Sequence, residues 1–119
     1  MTDGAMTARG IDLLEQAATE LREGLAPQLS GPARYQALLA VSAVATAARE
    51  ARAAPYLALA EAVLAGLDVA AIRAGAHDHD AGVHARLQTR AALRAWIADP
   101  RSLSAEERAE HLPEELHDT

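Results

Sequence analysis

The stretch ARYQALLAVSAVATAARE, residues 33–50, has no charged side chain between Arg34 and Arg49. Alanine, the best helix former, recurs through it, and it contains neither glycine nor proline. Such a segment is apolar on nearly every side, which is typical of a helix that other helices surround. Its 14 consecutive uncharged residues are too few to cross a bilayer. We therefore expect the central helix here, starting at Pro32, where the fixed φ of proline suits a first helical position.

Helical patterns also lie on both sides of this segment. Upstream, from Thr7 onward, apolar side chains recur at spacings of three and four: Ile11, Leu14, Ala18, Leu21 and Leu25. Gly24 and Pro27 are expected to end that first helix or to loosen its last turn. Downstream, Pro55 predicts a boundary, because the residue before a proline is pushed out of the α region. A third helix is expected from there to about Gly66.

The rest of the chain predicts one long helix between two short ones. VAAIRAG, residues 69–75, is a short helix that ends at its glycine. Asp80 is a plausible cap for the long helix, which ends at Asp99, and Ser104 and Glu107 have the capping-box spacing for a short terminal helix. No segment alternates with a period of two residues for long enough to form a strand. The predicted fold class is all-α, an antiparallel bundle of about four helices with a short extra C-terminal helix.

The predicted domain organisation has three parts. Residues 1–6 are expected to form a flexible leader, residues 7–101 the helical bundle domain, and residues 102–119 an acidic C-terminal segment with a short helix. Half of the 119 residues are hydrophobic, but 31 are alanine and none is phenylalanine, so the core is expected to bury little area. A small domain of this kind favours stabilisation by oligomerisation or by a partner subunit.

The composition also excludes several classes of function. The absence of cysteine excludes disulfides and thiolate metal sites and agrees with a cytoplasmic location. The net charge of −6 argues against general nucleic-acid binding. The first residues lack the basic and apolar regions of a signal peptide, and no catalytic elbow or glycine-rich phosphate loop is present. We therefore predict no catalytic residue, no metal ligand, no cofactor bound by this chain and no membrane contact.

The last long helix carries a row of positive charge. In VHARLQTRAALRAW, residues 83–96, three arginines recur at every fourth position, so on a helix they lie along one side. We call them the arginine row: Arg86, Arg90 and Arg94. Their side overlaps the one on which four apolar residues lie: Val83, Leu87, Leu93 and Ile97. One interpretation is a surface that binds a partner or an anion, because guanidinium groups pair well with carboxylates and phosphates.

The alternative interpretation of the arginine row is structural. The long arginine stems can cover apolar surface while their charged ends stay in water and pair with acids of the same chain. The C-terminal segment offers five such acids: Glu106, Glu107, Glu110, Glu114 and Glu115. Both interpretations stay open at this point. Three further residues complete the predicted partner- or anion-binding set: Arg73, Arg49 and Tyr35.

A second polar cluster contains His77, Asp78, His79 and Asp80, with His84 four residues later. Imidazole and carboxylate groups together can bind zinc. However, the spacing matches no helical ligand pair such as HExxH, and a predicted connector favours solvated loop residues. A metal-dependent hydrolase that uses the three histidines is therefore the weakest of the hypotheses.

The order of the segments suggests a family. LLEQAATELREGLAPQLSG, residues 13–31, precedes an aromatic residue and ALLAVSAVATAAREA, residues 37–51. Together with VAAIRAG, these segments resemble a bacterial family of small helical proteins that was defined as a domain of unknown function. The matching positions, within roughly residues 11–101, are Leu13, Leu14, Leu21, Arg22, Glu23, Pro27, Leu29, Gly31, Tyr35, Arg49, Glu50, Ile72, Arg73 and Gly75. The last helix ends in Asp99-Pro100 where the family has Asn-Pro.

The resemblance implies a function, because members of that family tend to be encoded beside aminoglycoside-phosphotransferase-like kinases and acyl-CoA dehydrogenases. This chain resembles the small subunit of the levulinate-pathway 4-hydroxyacyl-CoA kinase. The implied role is a non-catalytic accessory subunit of an ATP-dependent hydroxyacyl-CoA kinase, with ATP and Mg²⁺ bound by the kinase partner and a CoA-ester contact near the arginines. The alternative is a homodimeric helical module that binds a small acidic ligand and has no kinase partner.

Overall fold

The protein is described by a computed structural model that covers residues 6–67, 69–76 and 78–117. Its α-helices are, in chain order, α1 (Ala8–Glu20), α2 (Gly31–Leu64), α3 (Val69–Arg73), α4 (Ala81–Ala98) and α5 (Ala105–His111). Shorter helical turns are a π-helical turn at Leu21–Leu25 and 3-10 turns at Ala26–Gln28, Pro100–Ser102 and Glu114–Leu116. These residues contain no strand, which confirms the all-α class.

The first helix begins and ends as its sequence predicts. Thr7 caps α1, because its side-chain oxygen accepts a hydrogen bond from the backbone N–H of Gly10 at 3.1 Å. The last turn is loosened in two steps, first by the π-helical turn that contains Gly24 and then by the 3-10 turn that contains Pro27. The chain then turns into α2.

The predicted boundary at Pro55 is wrong, because α2 runs without interruption through it. A proline inside a helix removes one backbone hydrogen bond and costs about 3 kcal/mol relative to alanine. Pro55 itself is exposed, and Ala53 and Ala60 on either side of it along the helix are buried. The predicted second and third helices are therefore one helix of 34 residues. In the described part of the chain, no helix combines the length and the apolar character needed to span a membrane.

The predicted signals after α2 are confirmed. Gly75 has a φ of +90° at the turn that follows α3, a conformation that favours glycine. Asp80 caps α4 by accepting a hydrogen bond from the backbone N–H of Val83 at 3.1 Å. Ser104 and Glu107 form the complete capping box of α5.

The chain divides into two compact units, Met1–Arg52 and Ala53–Thr119. In the first unit the guanidinium of Arg52 pairs with Glu15 and lies 3.6 Å from Asp12, so the end of this part of α2 lies beside α1. The two helices therefore form an antiparallel hairpin. Its buried hydrophobic side chains are all small: Ala18, Ala26, Ala37, Val41 and Ala48.

The second unit has the larger core. Trp96 and Leu93 of α4 are fully buried together with Leu116, and Ala53, Ala92 and Leu112 belong to the same cluster. Residues 102–119, which we separated from the bundle domain on composition, thus contribute two leucines to this core. The guanidinium of Arg108 also donates a hydrogen bond to the carbonyl of Pro100, which holds α5 against the turn before it.

Candidate functional site

Helix α4 positions the arginine row beside the core of the second unit. Its buried side chains, Val83, Ala92, Leu93 and Trp96, anchor one face of the helix. Leu87 and Ile97 are half-buried at the edge of that face. Within the row, Arg86 and Arg94 are exposed and Arg90 is half-buried. The helix thus buries apolar side chains and leaves the three arginine side chains partly in contact with water, as expected for long amphipathic side chains.

Two members of the row share one carboxylate oxygen. Nη2 of Arg94 lies 2.8 Å and Nε of Arg90 lies 3.4 Å from Oε1 of Glu61, which projects from α2. All three side chains are between two-fifths and three-fifths exposed, so solvent screens the attraction. Exposed pairs of this kind contribute about 0 to 1 kcal/mol each. The contact therefore fixes the direction of the two guanidinium groups more than it stabilises the fold.

The charge of this cluster stays positive after the pairing. Glu61 supplies one negative charge to two guanidinium groups, and the exposed Arg86 has no ion pair among the described residues. The arginine row with Glu61 therefore has a formal net charge of about +2, three positive charges against one negative. A surface of this kind can accept a second carboxylate or a phosphate.

The acids of the C-terminal segment do not neutralise the row. In the described part of the segment, residues 102–117, no carboxylate lies within ion-pair distance of these arginines. The carboxylate of Glu107 instead accepts the backbone N–H of Ser104 at 3.1 Å. This hydrogen bond, reinforced by the Ser104 hydroxyl, holds the pKa of Glu107 below its usual value. The row is therefore paired in part within its own chain, by an acid of α2 and not by one of the C-terminal segment.

Glu61 is the residue that the sequence interpretation missed. It is the only charged residue between Arg52 and Asp68, in a segment otherwise composed of alanine, leucine, valine, tyrosine, proline and glycine. A single carboxylate in so apolar a stretch needs a cation or water, since an unpaired charge is costly to bury. That isolation was the available signal, but identifying its partners required the position of α2 beside α4.

Of the other predicted site residues, one belongs to the same unit as the row and two belong to the first unit. Arg73 is exposed at the end of α3, and no contact with Arg86, Arg90 or Arg94 is observed within the described residues. Arg49 and Tyr35 belong to the first unit. There Nη2 of Arg49 donates a hydrogen bond to the Thr46 hydroxyl at 3.2 Å, and the Tyr35 side chain is exposed.

The histidine and aspartate cluster forms no ligand set in the described residues. His77 lies outside them. Of the others, Asp80 is occupied as the cap of α4, and His79 and His84 are exposed. No group of three His, Cys, Asp or Glu side chains that could hold a metal ion occurs among residues 6–67, 69–76 and 78–117.

An open groove of about 790 Å³ lies in the first unit, where α1 passes into the π-helical turn. Leu21 and Leu25 give it an apolar floor, and Glu20 and Glu23 add carboxylates to its lining. Thr19 adds a hydroxyl, and among the described residues no serine, histidine or cysteine lines the groove. The two leucines give the groove the chemistry to accept an apolar side chain.

Comparison with known proteins adds no relative, since no family model, no curated protein and no solved structure matches this chain. The resemblance to the accessory-subunit family therefore stays a prediction.

Proposed function

We propose that this chain is a non-catalytic accessory subunit of an ATP-dependent hydroxyacyl-CoA kinase of the aminoglycoside-phosphotransferase type, acting in short-chain hydroxy or keto acid catabolism. The kinase partner binds ATP and Mg²⁺ and performs the phosphoryl transfer. This chain binds no cofactor, provides the docking surface and works in the cytoplasm. We further propose that the helices of the complete protein form an antiparallel bundle of about four, with α5 as the short addition.

The observation that supports this proposal most directly is the positive charge left on the arginine row. Three guanidinium groups follow one another along α4, and among the described residues a single carboxylate, that of Glu61, lies within reach of two of them. Carboxylates on the kinase surface, or the phosphates of a CoA ester held between the subunits, have the charge and the hydrogen-bond acceptors to complete the pairing. The sequence resemblance selects the kinase as the partner.

On this proposal a kinase of that type is encoded beside this chain, and the test is complex formation between the two proteins. The two proteins are co-expressed and separated by size-exclusion chromatography at micromolar concentration, where an accessory subunit elutes with the kinase. Clean separation of the two unmodified proteins at that concentration would count against the proposal.

A charge-matched pair of variants tests the role of the arginine row. In one variant all three arginines of the row are changed to alanine, and in the control Arg9, Arg22 and Arg34, which are exposed in the first unit, are changed. We expect the first variant to bind the kinase at least about tenfold more weakly, a loss of about 1.4 kcal/mol, and the control to change affinity by less than about twofold. Equal losses in the two variants, or no loss in either, would remove the row from the docking surface.

A second function is favoured by a different observation. The first unit leaves large apolar side chains exposed, including Tyr35 and Leu39, which suits a homodimeric helical module that binds a small acidic ligand without a kinase. A dimer that binds a small dicarboxylate in calorimetry and does not co-elute with the kinase would support this module and contradict the accessory-subunit proposal.

A further inference from the structure

Helix α2 has two unlike faces in the first unit. The buried positions, Ala37, Val41 and Ala48, fall within about 40° of one another at about 100° per residue and face the hairpin. A second set of residues lies on the far side of the helix. We call this set the open face of α2: Tyr35, Leu38, Leu39, Ser42, Thr46 and Arg49.

The open face exposes large apolar side chains where the hairpin buries small ones. Tyr35 is 65%, Leu39 is 52% and Leu38 is 42% exposed, whereas the buried side chains of the unit are no larger than valine. Ala43, which lies about 40° from Leu39 around the helix, is also exposed beside them. Together these side chains leave an apolar patch that falls within the range of the largest patches on ordinary monomers, about 300–600 Å². A two-helix hairpin with so little buried area needs a further layer.

We propose that the open face packs against the same face of a second copy of this chain, with the two α2 helices antiparallel across a two-fold axis near Ser42. The proposal goes beyond the kinase-accessory role and uses the first unit, whereas the arginine row belongs to the second. Two such patches bury on the order of 1,000 Å² in total, the minimum expected of a specific interface. The small side chain of Ser42 at the axis allows the two helix backbones to approach closely.

Charge favours a second copy over an oppositely charged partner. The face has no charged side chain from Tyr35 to Thr46, so placing it against itself brings no like charges together there. Tyr35 and Arg49 are 14 residues apart, about 21 Å along the helix, and are too far apart to touch within one chain. A two-fold axis at Ser42 places Tyr35 of one copy level with Arg49 of the other. A guanidinium over an exposed tyrosine ring is a favourable cation–π pair.

The mass in solution tests the dimer. We expect light scattering at micromolar concentration to give twice the single-chain mass of 12.5 kDa. The variant with Leu38→Lys and Leu39→Glu is expected to return to the single-chain mass with unchanged helicity, because both side chains are exposed in the single chain. Leu59→Glu is the control, since Leu59 is 66% exposed but lies in the second unit, and this variant is expected to remain dimeric.

Several outcomes would overturn the proposal. If the unmodified chain is a monomer, the dimer proposal is overturned. A monomer that binds the kinase through the open face also overturns the dimer, but it leaves the proposed function intact. A dimer that persists in the double variant places the interface elsewhere. Loss of kinase binding in the arginine-row variant with the dimer intact, by contrast, supports the separation of the two surfaces.

Crosslinking tests the orientation of the two helices. The chain has no cysteine, so a single introduced thiol reports only its own position. Ser42→Cys places two thiols at the two-fold axis and is expected to form an intermolecular disulfide under mild oxidation, which requires Cα atoms within about 7 Å. Tyr35→Cys places them about 21 Å apart and is expected to remain reduced. Efficient crosslinking of Tyr35→Cys but not of Ser42→Cys would refute the antiparallel arrangement.

Discussion

Replacing Leu116 with alanine is predicted to destabilise the second unit, although this leucine is three residues from the end of the sequence. Leu116 is fully buried, in one cluster with Trp96 and Leu112. Leu→Ala changes in protein cores cost about 2–5 kcal/mol, and the loss grows with the cavity that remains. Because Leu116 lies in a three-residue 3-10 turn, the segment can relax partly into the space. We therefore expect the lower half of the range, about 2–3 kcal/mol.

The measurement uses the single tryptophan as the reporter. Trp96 is buried in the same cluster, so its fluorescence follows the unfolding of the second unit in urea. A loss of about 2.5 kcal/mol corresponds to a fall in Tm of about 10 °C for a chain of this size. Leu59→Ala is the matched control, because Leu59 is 66% exposed and its truncation is expected to change the free energy of unfolding by less than about 0.5 kcal/mol.

One result would refute this reasoning. If Leu116→Ala and Leu59→Ala have the same small effect on the unfolding midpoint, the C-terminal turn does not pack on α4 in solution. The second unit would then have to be stable without the last residues.

Three further predictions concern the helices and the arginine row. Pro55→Ala is expected to raise the free energy of unfolding by about 1–3 kcal/mol, because it restores a backbone hydrogen bond inside α2. A lower urea midpoint for this variant would contradict the continuous helix. Glu61→Gln is expected to lower the free energy of unfolding by less than about 1 kcal/mol, because the ion pairs of Glu61 are half-exposed. In about 1 M salt the loss is expected to be smaller still, because salt screens exposed charges. A loss above about 2 kcal/mol would mean that the pair is buried. The folded-state pKa of Glu107 is lowered, so the stabilisation that its carboxylate gives α5 is present above the ordinary value of 4.5 and is lost as the pH falls through the folded-state pKa. Thermal melts of the protein and of Glu107→Gln are expected to differ most near neutral pH and to converge in acid, and a difference that grows in acid would refute this assignment.

The candidate site was predictable in part. The row on α4 follows from the spacing of Arg86, Arg90 and Arg94, because residues four apart lie on one side of any helix. The carboxylate that meets two of them did not follow, since Glu61 is 29 and 33 residues away from Arg90 and Arg94 along the chain. Nearby acids in the C-terminal segment were equally plausible partners on charge alone, and Glu107 is instead held by its own helix cap.

The sequence by itself determined the helical class and the helix starts at Thr7, Asp80 and Ser104. These features depend on hydrogen bonds that close within three residues, so they do not depend on the rest of the fold. Only the tertiary structure decided that α2 continues through Pro55, because the helix keeps its unfavourable residue when packing on both sides holds it. The same holds for Leu116, whose burial against α4 joins an acidic terminal segment to the core. Contacts between distant parts of the chain decide such features. Helical periodicity shows which residues share a face, but it does not show which distant residues will pack against that face.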